Sequence, residues 1–292
     1  MGYVDFILNL AGLLMWLNWR SIRFDPLVKR TPATLMGTLR PATPTKIHRW
    51  QWLAIIAGLL VVRSFLYWEI GSSMSPVWSG KLDLGTVVLS VPCHGNWAGL
   101  GRILLFSFLS FGLMLGIFYA WLLLLSMLAG PEPFHRLVRI PLGRVDNWPR
   151  WAKLLLPLGV TATAWCALSW LLGWLQIFPP PASMGHRLEQ SLVIALGSYL
   201  VWKFPAGVLL ALHLLNSYIY FGKHPVWKYV EATSQMLLWP LKKIPLRIGR
   251  VDFAPVIGIA IVFLIAHFLE YGIKTRFFNI YGLIDLYQKL PF

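Results

Sequence analysis

Apolar residues in this chain gather in long runs, and the runs set the expected architecture. A helix that crosses a bilayer needs about 20 predominantly apolar residues. Runs at 3–19, 51–70, 103–129, 153–178, 204–221 and 253–270 meet or approach that length. They lack the polar stripe that a helix on a water-soluble core displays. The pattern predicts an all-α polytopic membrane protein of about six transmembrane helices arranged in hairpins. The first run is the weakest, being interrupted by Asp5 and Asn9. The second contains Arg63 and ends near Glu69, and the fifth opens at Lys203 and Pro205.

The polar connections alternate in charge. Residues 20–50 carry Arg20, Arg23, Lys29, Arg30, Arg40, Lys46 and Arg49. Residues 130–153 carry Arg136, Arg139, Arg144, Arg150 and Lys153, and residues 222–252 carry Lys223, Lys228, Lys242, Lys243, Arg247 and Arg250. The connections 71–98 and 179–189 hold only Lys81 and Arg187 as Lys or Arg. With six spans the three basic connections share one side, which the positive-inside rule makes cytoplasmic. Both termini then face the other compartment. The aromatic C-terminal stretch after Glu270 is expected to lie in the membrane interface as an amphipathic segment.

Composition agrees with the runs. Hydrophobic residues make up 57% of the 292 and charged residues 13%, against about 25% charged in soluble domains. Sixteen Trp suit the membrane–water boundary, where several flank the runs. The formal net charge of +15 is accounted for by topology and by attraction to anionic lipid, so no direct nucleic-acid partner is expected. The two cysteines, Cys93 and Cys166, form no metal-ligand spacing, and the adjacent Cys93 and His94 make a poor metal site. No metal or cofactor is expected. Met1 to Trp19 has neither a basic start nor a small-residue cleavage site, and reads as a retained first helix rather than a signal peptide.

One polar phrase occurs twice. Ile140-Pro141-Leu142-Gly143-Arg144-Val145-Asp146-Asn147-Trp148-Pro149 returns as Ile244-Pro245-Leu246-Arg247-Ile248-Gly249-Arg250-Val251-Asp252-Phe253-Ala254-Pro255, with Arg247 and Ile248 inserted. Lys81-Leu82-Asp83-Leu84 and Arg187-Leu188-Glu189-Gln190 stand at the same separation as Asp146 and Asp252. The expected organisation is an N-terminal membrane hairpin at 1–80, then repeats at 81–186 and 187–292. Two spans per unit make the repeats parallel, which is less usual among transporters than inversion.

Each repeat of the phrase has a structural use. Asp252 and Asp146 are placed to accept from the first free N–H groups of the following helix and to meet its positive dipole end. Pro255 and Pro149 are tolerated in a first turn, where the missing N–H had no partner. Gly143 and Gly249 supply the turn before it. Just upstream, cations alternate with apolar residues: Arg136 and Arg139 in the first copy, Lys242, Lys243 and Arg247 in the second. Such stretches suit an interface rich in anionic headgroups, or a protein partner.

Lone polar residues within runs invite other readings. Arg63 sits deep in the second span and Glu69 near its end; an intramembrane charge is a functional candidate, but Arg63 is expected to snorkel toward the loop at 71. Lys203 and Arg102 open their spans and are expected at the interface. His213 is expected to hydrogen-bond between helices, and His267 is similar. No H-E-x-x-H, G-x-S-x-G, Walker lysine loop or G-x-G-x-x-G occurs in the sequence, and no enzyme is expected.

The second copy resembles the repeat of the YggT family, loosely T-x-P-L-L-x-P-x-R-x-x-P, a glycine, then D-x-S-P leading into a helix. Thr233, Leu237, Leu238, Pro240, Lys243, Pro245, Gly249, Asp252 and Pro255 carry the resemblance. In the first copy it rests on Glu132, Pro133, Phe134, Arg136, Arg139, Pro141, Gly143, Asp146 and Pro149. Ala254 and Trp148 stand where the family has serine, and Lys243 where it has arginine. The resemblance covers roughly 103–178 and 204–270. It implies a multi-pass protein of the bacterial plasma membrane, tied to envelope organisation, cell division or maturation of a membrane complex. It supplies no catalytic residues. The expected function is a non-enzymatic scaffold or assembly factor acting through cytoplasmic basic loops on lipids and a membrane-protein partner. The alternative is a small-solute or ion channel or transporter.

Overall fold

The computed structural model describes residues 2–21, 49–73, 78–92, 97–128, 134–175, 177, 183–219, 225–243, 246–248, 251–274 and 279–290. Most of the basic connection 22–48, the pair Cys93 and His94, and Gly249 and Arg250 lie outside these residues. The chain is mostly helical. Its helices are α1 (Gly2–Ser21), α2 (Arg49–Ser73), α3 (Trp97–Met127), α4 (Phe134–Leu142), α5 (Arg150–Trp174), α6 (Met184–Gly197), α7 (Lys203–Tyr218), α8 (Pro225–Leu237), α9 (Ala254–Tyr271) and α10 (Leu283–Lys289). Among the described residues, three two-stranded sheets accompany them: β1 (Ser79–Asp83) with β2 (Val88–Pro92), β3 (Arg247–Ile248) with β4 (Val251–Asp252), and β5 (Gly272–Lys274) with β6 (Asn279–Tyr281).

Among the described residues, five helical segments are long and apolar enough to cross a membrane, as a multi-pass membrane protein requires: Trp50–Gly71, Gly99–Met127, Arg150–Trp174, Met184–Tyr218 and Ala254–Tyr271. Helices suit that setting because they satisfy their own backbone polar groups where water is absent. Large apolar side chains point outward from them, Val62, Val160 and Leu269 among them. α1, with Asp5 and Asn9 in its sequence, is not among the five. The fifth expected run is longer than its apolar stretch implied. α6 passes through a 3-10 turn at Ser198–Trp202 directly into α7, giving one segment of 35 residues. Ser183 caps its start, accepting from the His186 N–H at 3.3 Å.

The chain forms two compact units. One comprises 1–79 and 92–115, the other 80–91 and 116–292, so the division falls within α3. In the first unit, Ile56 and Leu60 of α2 pack with Phe111 of α3 and with Met15 and Trp16 of α1. Gly12 of α1 takes the Phe111 ring, since a Cβ there would lie 2.7 Å from it. Tyr67, Trp78 and Phe106 form an aromatic trio with centroids 5.0 to 6.0 Å apart.

Among the described residues, the order long helix, short amphipathic helix, 3-10 turn, long helix occurs twice. It appears as α3, α4, Gly143–Asn147 and α5, and again as α7, α8, Trp239–Lys243 and α9. Val138 and Leu142 of α4 bury against Leu122 and Leu123 of α3. Val230 of α8 buries against Leu209 of α7, and Ser234 donates to the Leu209 carbonyl at 3.0 Å. α7 and α9 approach closely through glycines, as small residues permit in membrane helices. Gly207 of α7 faces the Phe263 ring, and Gly258 of α9 faces Leu210 and Leu238. Two tryptophans clasp α3 to the 3-10 turn: Trp202 donates to Ala120 O at 2.9 Å and Trp121 to Val201 O at 3.3 Å.

The described part of the C-terminal stretch is a hairpin and a helix. Leu283 buries against Leu200 and Ala266, and α10 packs on α6 and α9. Lys289 sits 3.2 Å from the Tyr281 ring centroid, and its hydrogen bond and charge hold that phenol below its ordinary value. Gly272 ends α9 at φ +75°, and a Cβ there would overlap the Ile280 carbonyl oxygen and the Gly282 nitrogen. Gly272→Ala adds that overlap to a positive-φ extended backbone that costs an L residue roughly 1–3 kcal/mol. The expected outcome is release of α10, read as faster proteolysis of the C-terminal segment in detergent. Gly58→Ala, at a helical glycine with open space around it, serves as the neutral control.

Candidate functional site

Two polar constellations stand out, one in each unit. The first lies inside helices that are otherwise apolar. Arg63 of α2 is 1% exposed. Its Nη1 donates to Asn9 Oδ1 at 2.7 Å, its Nε to the Tyr67 hydroxyl at 2.8 Å and its Nη2 to Ser110 Oγ at 2.9 Å. Nη2 also forms an ion pair with Asp5. Tyr67 donates to Asp5 Oδ1 at 2.7 Å, and Asn9 Nδ2 to Ser110 Oγ at 3.0 Å. Nearby, Ser107 Oγ donates to the Leu60 carbonyl at 2.8 Å. The guanidinium thus binds α1, α2 and α3 together.

This overturns the snorkelling expectation. Arg63 turns inward because a carboxylate and an amide are within reach, and a paired guanidinium needs no water. The polar residues that weakened the first run, Asp5 and Asn9, are its partners. Asp5 and Asn9 are spaced i, i+4, as are Arg63 and Tyr67, so each pair shares a helix face. That matching spacing was the available signal in the sequence.

The second constellation is the duplicated phrase. Its first copy runs from the end of α4 through the 3-10 turn Gly143–Asn147 into α5. Gly143 opens the turn at φ +60°. Asp146 is buried, accepting from Arg139 Nε at 2.7 Å and lying 3.5 Å from Lys153 Nζ. Lys153 is buried with it, while Arg144 and Arg150 are exposed. Asp146 therefore does not cap α5. Pro149 holds the N-cap position, without a side-chain cap, because the 3-10 turn carries the carboxylate toward the two cations. Lys153 was not singled out in the sequence. Its signal was spacing, since Asp146 stands midway between Arg139 and Lys153.

The second copy is built differently. The inserted Arg247 and Ile248 become β3, paired antiparallel as Arg247 with Asp252 and Ile248 with Val251. Asp252 is exposed and accepts from the Ala254 N–H at 2.9 Å, so here the expected carboxylate contact at the helix start is present. Pro255 occupies the first turn of α9. Lys242 and Lys243 end the 3-10 turn Trp239–Lys243. The side chains of Arg136, Lys242, Lys243 and Arg247 lie outside the described residues. Lys81–Asp83 forms part of β1 and Arg187–Gln190 part of α6, so those two segments differ in conformation.

Other expected residues find varied settings. Lys203 pairs with Glu270 at 3.1 Å, joining the start of α7 to the end of α9. His213 Nδ1 is buried without a hydrogen-bond partner among the described residues, contrary to the interhelical bond expected. His267 packs on the Phe268 and Tyr271 rings instead. On α8, burial pushes the Tyr229 phenol up. Comparison with protein-family models, curated proteins and solved structures finds no match for the chain.

Two mutational results follow. Arg63→Leu alone leaves Asp5 without its cation and costs about 3–5 kcal/mol, whereas Asp5→Leu with Arg63→Leu costs far less. A double-mutant cycle on unfolding in detergent reads this coupling. The two duplicated aspartates also separate: Asp146→Ala strands buried Lys153 and costs about 3 kcal/mol or more, whereas Asp252→Ala removes an exposed carboxylate contact worth about 1 kcal/mol. Equal losses in the same assay would contradict the different roles seen for the two copies.

Proposed function

We propose that this protein is a non-enzymatic membrane scaffold or assembly factor of YggT type, acting in a bacterial plasma membrane through a basic cytoplasmic face. The observation that carries the reading is the first copy of the phrase. Its buried Asp146 braces Arg139 and Lys153, and this leaves Arg144 and Arg150 exposed on a fixed turn. A rigid cationic surface at a helix start suits docking rather than bond-making chemistry.

In this reading α1 is the sixth span, neutralised by Arg63, and the basic connections share the cytoplasmic side. The twofold order of long helix, amphipathic helix, turn and long helix supports two parallel repeats. A second reading, transport of a small solute or ion, draws on the gathering of Asp5, Asn9, Arg63 and Ser110 within one helix bundle. Those groups are engaged with one another, which favours a structural clamp over a conducting path.

Single cysteines beside Arg144 and Arg250 are expected to react with a membrane-impermeant reagent from the cytoplasmic side only. Crosslinking in cells is expected to capture a stable membrane-protein partner, lost on neutralising Arg144 and Arg150. Labelling from opposite sides would refute the parallel repeats. Ion flux from a reconstituted preparation, with no partner captured, would favour the transport reading.

A further inference from the structure

The start of α5 combines charge and grease in an order that fits one kind of ligand. Between 134 and 155 the only acidic residue is Asp146, and it is buried and held by Arg139 and Lys153. Arg139 keeps half its side chain exposed, at 52%. Arg144 and Arg150 are exposed and have no acidic partner among the described residues. Among the described residues the surface therefore carries positive charge that no carboxylate neutralises.

Directly beside these cations stand Trp148 and Trp151, the second 69% exposed. Below them on α5, Leu154, Leu155 and Val160 are also exposed. Trp151, Leu154 and Leu155 follow helical i, i+3, i+4 spacing, so they form one stripe. This stripe belongs to a helix apolar enough to cross a membrane. Cations, then indole rings, then aliphatic side chains reproduce the order of headgroup, interface and acyl chain. A water-soluble protein or a nucleic acid has no use for the aliphatic part, and lipid supplies both the anionic and the aliphatic component in one molecule. Among the described residues α9 differs, since Ala254–Tyr271 itself contains no Lys or Arg and Asp252 supplies a carboxylate at its start.

We infer that the junction of α4 and α5 is a binding site for an anionic phospholipid, its phosphate among Arg139, Arg144 and Arg150 and an acyl chain along the exposed stripe of α5. The inference rests on the docking-surface reading above and gives that surface a lipid occupant. Each cation near such a surface adds roughly 1 kcal/mol of attraction. Removing two is therefore expected to weaken occupancy on the order of tenfold or more.

The test uses the full chain in phosphatidylcholine nanodiscs with photoactivatable phosphatidylglycerol or photoactivatable phosphatidylcholine, and maps the labelled peptides. The expected result is phosphatidylglycerol labelling concentrated on 148–160, absent at the start of α9, and reduced on the order of tenfold in Arg144→Gln with Arg150→Gln. The corresponding double Lys variant is expected to keep the labelling. Equal labelling by both probes, labelling spread over all spans, or full labelling in the Gln variant would overturn the inference. So would displacement of the probe by inorganic phosphate as effectively as by unlabelled phosphatidylglycerol. Nanodiscs expose both leaflets, so the result is independent of sidedness and of partner capture, and those can fail separately.

Discussion

A charge carried into an apolar helix has to be neutralised where it stands. At the centre of a membrane helix an unpaired Arg, Lys or Asp costs about 2.5–3.5 kcal/mol on insertion scales. This chain meets the constraint by setting opposite charges on different helices. Arg63 meets Asp5 across α2 and α1, with Ser110 of α3 completing the set. Lys203 meets Glu270 across α7 and α9. Asp146, in a short turn, is shared by a cation from α4 and another from α5. Each pair ties helices that apolar contact alone would leave weakly specified, because lipid tails compete for the same surfaces. Removing one member exposes the other, so each pair also fixes which helices can be neighbours.

Much of the helical architecture was legible, because uninterrupted apolar runs have few structural outcomes in a chain this poor in charge. Most of the difficulties came at charged residues. Lys203 looked like the start of a span, yet the helix runs through it, since Glu270 removes the reason for it to stop there. Arg63 looked free to reach water, yet its fate depended on Asp5 and Asn9, far away in sequence. Periodicity within one segment cannot report a partner on another. His213 shows the converse: a polar residue within a run predicted a hydrogen bond, and its Nδ1 makes none among the described residues.

The duplicated phrase shows how far a motif determines its own conformation. Nearly identical residues close a helix with a 3-10 turn in one copy and extend into a strand pair in the other. The insertion of Arg247 and Ile248 is sufficient cause, because those two residues are the added strand. Once Asp252 is drawn to the helix start, it cannot play the part that Asp146 plays between Arg139 and Lys153. Repeated sequence thus led to two differently equipped helix starts, one whose first N–H donates to a carboxylate and one whose carboxylate is held by two cations.

The continuous segment from Met184 to Tyr218 carries a consequence of scale. At 35 residues its contour is about 50 Å, against about 30 Å for the hydrocarbon layer. The excess has to tilt or emerge, and the end bearing His186, Arg187 and Glu189 is the one suited to emerge. α10 is packed on α6, so the C-terminal helix is carried on a strut whose base is set by bilayer thickness. A thinner or thicker bilayer changes how much of that segment must tilt or emerge.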